Sequence, residues 1–172
     1  MTVQTLAIFV GLPGSGKTAL ARPLAEARGW TYISRDEIRA QRFLGLGPEA
    51  WKPLANQATE DAARAALAQG ASVVVDGATF AATALRERFA QAAHDHAARF
   101  VVVWVDCPVE EAIRRVQRSN ATHPAPSERD AARVLEVAAR FQPPGPESIR
   151  LDAQRPQEEL HAELAAALDT AH

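Results

Sequence analysis

The 172-residue sequence contains one cysteine, Cys107, and only two lysines among its 19 basic residues. A lone cysteine cannot form an internal disulfide, which suits a reducing compartment. No apolar run approaches the roughly 20 residues that a membrane-spanning helix needs. The chain also enters an apolar segment at once, without the basic and apolar regions of an export signal. We therefore expect a cytoplasmic protein with no membrane segment.

The charged residues are close to balance, with a formal net charge of −2 and a pI of about 6.2. This balance does not suggest a protein that coats nucleic acid, although it does not exclude a local basic cleft. The hydrophobic content of 47% is ordinary for a globular protein. Chain length and the lack of a linker predict a single domain over residues 1–172.

A glycine-rich loop follows the first apolar run, residues 5–10, and leads directly into a helical segment. This order of strand, glycine loop and helix is what a phosphate-binding P-loop requires. Successive backbone N–H groups of such a loop converge on one concavity, which attracts polyphosphate together with the positive end of the helix. The predicted nucleotide-binding residues are Gly11, Leu12, Pro13, Gly14, Ser15, Gly16, Lys17 and Thr18.

Lys17 and Thr18 have the side chains that metal–ATP chemistry needs in this loop. The lysine can reach the β and γ phosphates, and the threonine hydroxyl can bind Mg²⁺. All the other basic residues except Lys52 are arginine. A compact ammonium fits in such a loop where a guanidinium fork would not. We therefore predict ATP and Mg²⁺ as ligands.

Strand-like and helical segments alternate along the rest of the chain. The predicted strands are residues 30–33, 72–76, 99–105 and 148–152, and the predicted helices are 17–28, 49–69, 81–98, one opening at Pro108, 127 to about 141, and 157–169. The longest β-branched run, 99–105, is typical of a central parallel strand. This alternation predicts an α/β layered sandwich with a mostly parallel sheet of about five strands.

Several absences narrow the P-loop chemistry. A GTPase would carry Asp-x-x-Gly after its third strand and Asn-Lys-x-Asp for guanine, but here Asp76 is followed by Gly-Ala-Thr and no Asn-Lys pair exists. A water-activating ATPase usually has a glutamate where this chain has Gly77. Motor and AAA-type ATPases are expected to be larger. The chemistry that remains is phosphate transfer to a hydroxyl of a second substrate.

Asp36 and Arg39 follow the second predicted strand, at the edge where ligands gather in an open α/β sheet. Asp36 can accept or orient the proton of an attacking hydroxyl. Arg39, one helical turn on, can bind an anionic acceptor or the transferring phosphoryl group. The alternative is structural, because Ser34 and Glu37 form a capping box and acids are favoured in the first turn of a helix.

Asp76 ends an apolar strand, where an unpaired carboxylate would be costly. It is a candidate to hold Mg²⁺ through water, or to pair with Arg39 and position the acceptor. The alternative is that Asp76 caps the next helix. Thr79 is equally a candidate for that cap and for a contact with the acceptor.

Arg114, Arg115 and Arg118 precede a polar, proline-broken segment and predict a lid over about residues 114–130. Arginines on a closing lid would stabilise charge on the transferring phosphoryl group. We assign this role to Arg115 and Arg118, with Arg114 as a further nucleotide contact. The alternative is a solvated helix face that pairs with Glu110 and Glu111, in which Arg114 is the partner expected for Glu110.

The tryptophans are predicted mainly as core residues. Trp51 and Trp104 are assigned to the core. Trp30 is a candidate stacking surface near the acceptor, although core packing is the favoured interpretation.

Together these motifs resemble the small P-loop kinases grouped with phage-type polynucleotide 5′-kinases, zeta-toxin-like kinases and chloramphenicol phosphotransferases. The resemblance rests on the 11–18 loop with Arg-Asp-x-x-Arg at 35–39, on Val-Val-Asp-x-x-Thr at 74–79, and on Asp-x-Pro at 106–108 before the arginine-bearing helix. It implies a three-layer fold like that of nucleoside-monophosphate kinases, with a helical lid. It further implies Asp36 as general base, Arg39 as acceptor or phosphate contact, Arg115 or Arg118 as the lid finger, and adenine packed between the lid helix and the loop after Asp152.

The favoured function is therefore an ATP-dependent phosphotransferase acting on the 5′-hydroxyl of an oligonucleotide. The motivation is the one-turn spacing of Asp36 and Arg39, because a nucleic-acid end presents a hydroxyl beside a phosphate. A first alternative is a small-molecule kinase acting on a nucleoside, sugar or antibiotic alcohol. A second, of another class, is a non-catalytic scaffold that senses ATP.

Overall fold

The computed structural model describes residues 3–122 and 129–170. Within these ranges the strands form one parallel sheet in the order β2-β3-β1-β4-β5. They are β1 (Thr5–Val10), β2 (Thr31–Ser34), β3 (Val73–Asp76), β4 (Arg99–Asp106) and β5 (Ile149–Asp152). The predicted five-stranded parallel sheet is confirmed, and β4 lies inside it between β1 and β5, as its β-branched run indicated.

The predicted helices are present, with shifts of a few residues at their ends. They are α1 (Lys17–Arg28), α2 (Arg35–Arg42), α3 (Pro48–Ala68), α4 (Thr83–Asp95), α5 (Val109–Thr122), α6 (Ala131–Arg140) and α7 (Gln157–Thr170). The helix expected from Ser127 begins instead at Ala131, because Asp130 accepts the Arg133 N–H at 2.7 Å as its N-cap; Ser127 lies outside the described residues. None of these helices is long and apolar enough to cross a membrane.

Helices cover both faces of the sheet, which confirms the three-layer architecture. Alternate residues of a strand point to opposite faces, and all six residues of β1 are buried. One face, which includes Ala7 and Phe9, packs against α1, α5, α6 and α7. The other, which includes Leu6, Ile8 and Val10, packs against α3 and α4. The sheet is therefore packed on both faces, and the loops at the ends of its strands are held in place by it.

The carboxyl ends of the parallel strands lie along one edge, where the candidate residues converge. The parallel register pairs Ser34 at the end of β2 with Asp76 at the end of β3. The glycine-rich loop leaves β1 from the next position in the sheet. Asp36, Asp76 and the loop therefore face one region, as expected for an open α/β sheet.

Candidate active site

The loop after β1 has the shape predicted for phosphate binding. Gly14 (φ 80°) and Gly16 (φ 98°) have left-handed backbone conformations that L side chains rarely adopt. A Cβ at Gly11 would lie 2.7 Å from the carbonyl oxygen of Val105, and a Cβ at Gly14 would lie 2.7 Å from that of Ala112. Glycine is therefore needed here because the loop is tightly turned and also packs against β4 and α5.

The Lys17 ammonium lies within the loop rather than in solvent. Its Nζ donates hydrogen bonds to the carbonyl oxygens of Gly11 (3.0 Å) and Leu12 (2.9 Å). Burial lowers the pKa of Lys17 from 10.5 to about 8, although the Asp76 carboxylate opposes this shift. Lys17 is thus a cation held at the loop, and it loses its charge as the pH rises through about 8.

We expect the affinity for ATP to fall as the pH rises through about 8. Phosphate favours the charged ammonium, so binding raises the pKa of Lys17 above its value in the free protein. Between these two pKa values each pH unit should weaken binding by up to about tenfold, whereas below pH 8 this dependence vanishes. Calorimetric titration with Mg·ATP from pH 7 to 9.5 measures this, and a constant affinity over that range would contradict it.

Asp76 ends β3 with its side chain fully buried. Its Oδ2 accepts hydrogen bonds from the Thr18 hydroxyl (2.6 Å) and the Tyr32 hydroxyl (2.8 Å). Its Oδ1 is buried and has no hydrogen-bond partner among the described residues. The two predicted metal residues, Thr18 and Asp76, therefore lie side by side. They fit Mg²⁺, which is commonly held by one or two protein groups, phosphate oxygens and water.

Neither Asp76 nor Thr79 caps the helix that follows them. That helix, α4, begins at Thr83 and its N-cap is Ala82, so the structural alternative for both residues is wrong. Thr79 lines the same cavity as Lys17 and Asp76. Its carbonyl oxygen accepts a hydrogen bond of 3.1 Å from the Gly11 N–H, which ties the segment after β3 to the phosphate loop. An acceptor contact by Thr79 stays a prediction.

Gly77 brings the end of β3 against the start of α2. A Cβ at this residue would lie 2.7 Å from the Ser34 hydroxyl and 2.8 Å from the Asp36 backbone nitrogen, and its φ is 78°. Any side chain would therefore push the two elements apart. The glycine that follows Asp76 is thus explained by packing, and it places Asp36 and Asp76 on one cavity.

Replacing Gly77 by alanine should lower both thermal stability and any activity of the site. The left-handed φ alone costs about 1–2 kcal/mol for a residue with a Cβ, and displacement of α2 adds to this. Gly70→Ala is the matched control, because its φ is 86° but its Cβ would meet nothing within 4 Å. We expect the control to lower Tm by about 2–8 °C, and Gly77→Ala to lower it further and reduce turnover. Equal losses of Tm with equal turnover would contradict the packing argument.

Asp36 faces the cavity and is separate from the cap of its helix. Ser34 is the N-cap of α2, accepting the Glu37 N–H at 3.3 Å, while the Glu37 side chain pairs with Arg22 at 2.6 Å. The cap is therefore present, yet it does not use the Asp36 carboxylate. That carboxylate instead accepts a hydrogen bond of 2.5 Å from Arg129, and the two side chains are 41% and 57% exposed.

A cavity of about 1100 Å³ lies beside the phosphate loop. Its opposite side, which we call the basic wall, is lined by Arg35, Arg39, Lys52, Arg129 and Arg133. The Arg39 guanidinium lies 4.1 Å from the ring centroid of Trp51, and that of Arg35 lies 5.4 Å away. Trp51 was predicted to be core and is indeed only 3% exposed, but its ring also supports the wall. Trp30 instead packs against the core on the side of α1 and α7.

The three arginines predicted for a lid have different surroundings, and residues 123–128 of the predicted lid segment lie outside the described residues. Arg115 lines the cavity and donates to the carbonyl oxygens of Ser15 (3.2 Å) and Ala153 (2.7 Å) and to Glu111. Arg114 pairs with Glu111 at 2.8 Å, so its expected pairing with Glu110 is wrong. Arg118 is exposed.

Of these three arginines, only Arg115 belongs to the cavity lining found among the described residues. The nucleotide roles of all three stay predictions. Adenine packing beside Ala153 also stays a prediction, although Arg115 joins α5 to that loop.

Several cavity residues were missed by the reasoning from sequence. They are Arg35, Lys52, Arg129, Arg133 and Glu136. Tyr32, which is hydrogen-bonded to Asp76 from β2, was missed as well. Arg133 lies in the first turn of α6 and Arg129 just before that helix. Their spacing of four residues in the helix predicted from residue 127 was the available signal. Among the described residues no group of three His, Cys, Asp or Glu side chains could hold a metal, so Mg²⁺ would depend on Thr18, Asp76 and the phosphates.

Known shikimate kinases are similar to part of this chain. That of Synechococcus elongatus is 26% identical over 120 residues, which are 63% of this chain and 56% of the kinase. That of Corynebacterium glutamicum is 32% identical over 120 residues, covering 64% of this chain and 63% of the kinase. The chain thus spans less than two thirds of the length of these relatives.

Solved structures share the fold over nearly the whole chain. The APS kinase of Mycobacterium tuberculosis is 20% identical and has a TM-score of 0.73, and the match covers 99% of this chain and 100% of that chain. A gluconokinase of Sinorhizobium meliloti is 17% identical with a TM-score of 0.70, covering 98% of this chain and 94% of that one. One chain of the Pnkp1/Rnl/Hen1 RNA repair complex is 20% identical and has a TM-score of 0.64, and the match covers 88% of this chain and 50% of that chain.

A family model described as "AAA domain" matches residues 6–144. The argument from chain length against AAA-type ATPases therefore does not exclude this family. The matched segment begins in β1 and ends after α6, so it contains the phosphate loop, Asp36, Asp76 and the basic wall. The chain accordingly belongs to the AAA domain family and has the α/β P-loop fold.

Proposed function

We propose that the protein is a kinase that transfers the γ-phosphate of ATP to a hydroxyl group of a small molecule. The observation that supports this most strongly is the single cavity that Lys17, Thr18 and Asp76 share with Asp36 and the basic wall. One half of such a cavity suits Mg·ATP and the other half suits an acceptor. The relatives named as shikimate kinases point in the same direction.

Phosphoryl transfer in this cavity would proceed by direct displacement. The acceptor oxygen forms a bond to the γ-phosphorus while the bond to the bridging oxygen of ADP breaks, and Asp36 accepts the hydroxyl proton. Lys17 and Arg115 stabilise negative charge on the phosphates. Thr18 and Asp76 would hold Mg²⁺, whose charge would offset that of the phosphates. Arg129, paired with Asp36, lies where it can contact the acceptor or the transferring group.

The charge of the wall favours an acceptor that carries an anionic group. Its cationic side chains are Arg35, Arg39, Lys52, Arg129 and Arg133, against the acids Asp36 and Glu136. This excess attracts carboxylate, phosphate or sulfate, and guanidinium groups bind such anions with two parallel hydrogen bonds. The excess suits a small anionic alcohol. The shikimate kinases that are similar in sequence and the gluconokinase that shares the fold support that class better than the oligonucleotide end favoured from the sequence motifs.

Transfer of radiolabelled γ-phosphate from ATP tests this function. The acceptors would be anionic alcohols (shikimate, gluconate and APS), neutral sugars and nucleosides, and DNA or RNA with a 5′-hydroxyl. We expect label on an anionic small molecule and none on oligonucleotides. Label on oligonucleotides alone would restore the polynucleotide kinase hypothesis. Tight ATP binding without acceptor-dependent ADP release across a broadened panel would favour the ATP-sensing scaffold.

A further inference from the structure

Tyr32 contacts the buried carboxylate of the candidate metal site, although no motif singled it out. It is the one tyrosine of the chain and lies in β2, the edge strand beside β3. Its hydroxyl donates to Asp76 Oδ2 at 2.8 Å. Its ring lies under the Arg22 guanidinium, 4.4 Å from the centroid, and Arg22 pairs with Glu37. The tyrosine is therefore held on both its ring and its hydroxyl.

The two hydrogen bonds to Asp76 are unevenly distributed over its oxygens. Both the Thr18 and the Tyr32 hydroxyl groups donate to Oδ2, whereas Oδ1 is buried without a partner among the described residues. A phenol has an ordinary pKa of about 10, and a carboxylate oxygen can only accept, so the Tyr32 hydroxyl is the donor of this hydrogen bond. Rotation of the carboxylate would break two partly buried hydrogen bonds, and donors left without a partner there are costly. The orientation of Asp76 is thus fixed by its neighbours.

We propose that Tyr32 is a positioning residue for the metal site, whose hydroxyl fixes Asp76 through Oδ2 and keeps Oδ1 available to Mg²⁺ or its water. The inference rests on the proposed function only in that Mg·nucleotide binds at the phosphate loop. Thr18 alone cannot supply this restraint, because a single hydrogen bond leaves the carboxylate free to turn about it. Among the described residues, Asp76 is the partner of the Tyr32 hydroxyl at the metal site, so the effect of Tyr32 should appear in metal dependence.

Tyr32→Phe removes the hydroxyl while keeping the ring under Arg22. ATP affinity is measured by calorimetry over a series of Mg²⁺ concentrations. We expect the Mg²⁺ concentration that gives half of the metal-dependent gain in affinity to rise about 3- to 10-fold, the size expected for one hydrogen bond. Affinity for ATP without metal should stay unchanged. A midpoint equal to that of the parent protein would overturn the proposal.

Arg22→Gln is the matched control, because it removes the cation over the ring and the Glu37 ion pair but leaves the Tyr32 hydroxyl. It should keep the parental Mg²⁺ midpoint even if it lowers Tm. An equal shift in both variants would mean that Tyr32 acts only through packing, which would overturn the proposal. Absence of any metal-dependent ATP binding by the parent protein would instead refute the proposed function.

A second measurement uses the parent protein alone. Because Tyr32 is the one tyrosine, the ring signal in an NMR spectrum of ¹³C-tyrosine-labelled protein comes from Tyr32 and needs no further assignment. Paramagnetic Mn²⁺ added with ATP should broaden that signal strongly, and Mn²⁺ without nucleotide should broaden it much less. No broadening with Mn·ATP would place the metal away from Tyr32 and overturn the proposal.

Discussion

Lys17→Ala should weaken ATP binding by about 10²-fold or more and leave almost no turnover. The ammonium is the cation of the glycine-rich loop, held by the Gly11 and Leu12 carbonyl oxygens beside the predicted phosphate site. A hydrogen bond to a charged group contributes about 1.5–3 kcal/mol, and the β and γ phosphates offer more than one such bond. Calorimetry with Mg·ATP and a coupled ADP assay measure both effects.

Lys52→Ala is the control that the chain itself provides, since Lys52 is the other lysine. It lines the cavity as part of the basic wall, where we propose that the acceptor binds. Its loss should therefore leave the affinity for ATP near the parental value and raise only the KM of an anionic acceptor. Parental ATP affinity in Lys17→Ala would mean that nucleotide does not bind at this loop, and the proposed function would then be wrong.

Local patterns were sufficient to predict the fold. The P-loop of residues 11–18 and the Ser34 cap each depend on residues within one short stretch of the chain, and such short-range preferences are readable from sequence. The sheet followed because alternating strands and helices allow few topologies. The same reasoning located Asp36 and Asp76, because the carboxyl ends of parallel strands meet at one edge.

The rest of the site depends on contacts between distant segments. Tyr32 meets Asp76 across 44 residues and Arg129 meets Asp36 across 93, and no local pattern encodes such pairs. Trp51 was assigned to the core because large apolar side chains are usually buried. Its ring also contacts the Arg39 guanidinium, which the sequence did not indicate. Gly77 was used in the sequence argument only as the absence of an ATPase glutamate, and its closeness to Ser34 is visible only in the structure.

Asp36→Asn should lower turnover by about 10²-fold or more while ATP affinity stays near the parental value. Asparagine keeps the size of the side chain and an oxygen that can accept from Arg129, but it cannot take up the proton of an attacking hydroxyl. Since the Ser34 hydroxyl is the cap of α2, the helix and its stability should be largely unaffected. Single-turnover kinetics with saturating ATP and acceptor measure the loss, and calorimetry with Mg·ATP confirms that binding is intact.

The ion pair with Arg129 provides the competing explanation, in which Asp36 merely holds that arginine. Under this explanation Asp36→Asn and Arg129→Ala would cost the same, and the double variant would cost no more than either. We expect a different result. Asp36→Asn should lower kcat by more than Arg129→Ala does, and the double variant should lower it further than either single change, because accepting the proton and contacting the anion are separate roles. Equal losses in all three variants would show that Asp36 serves only to hold Arg129.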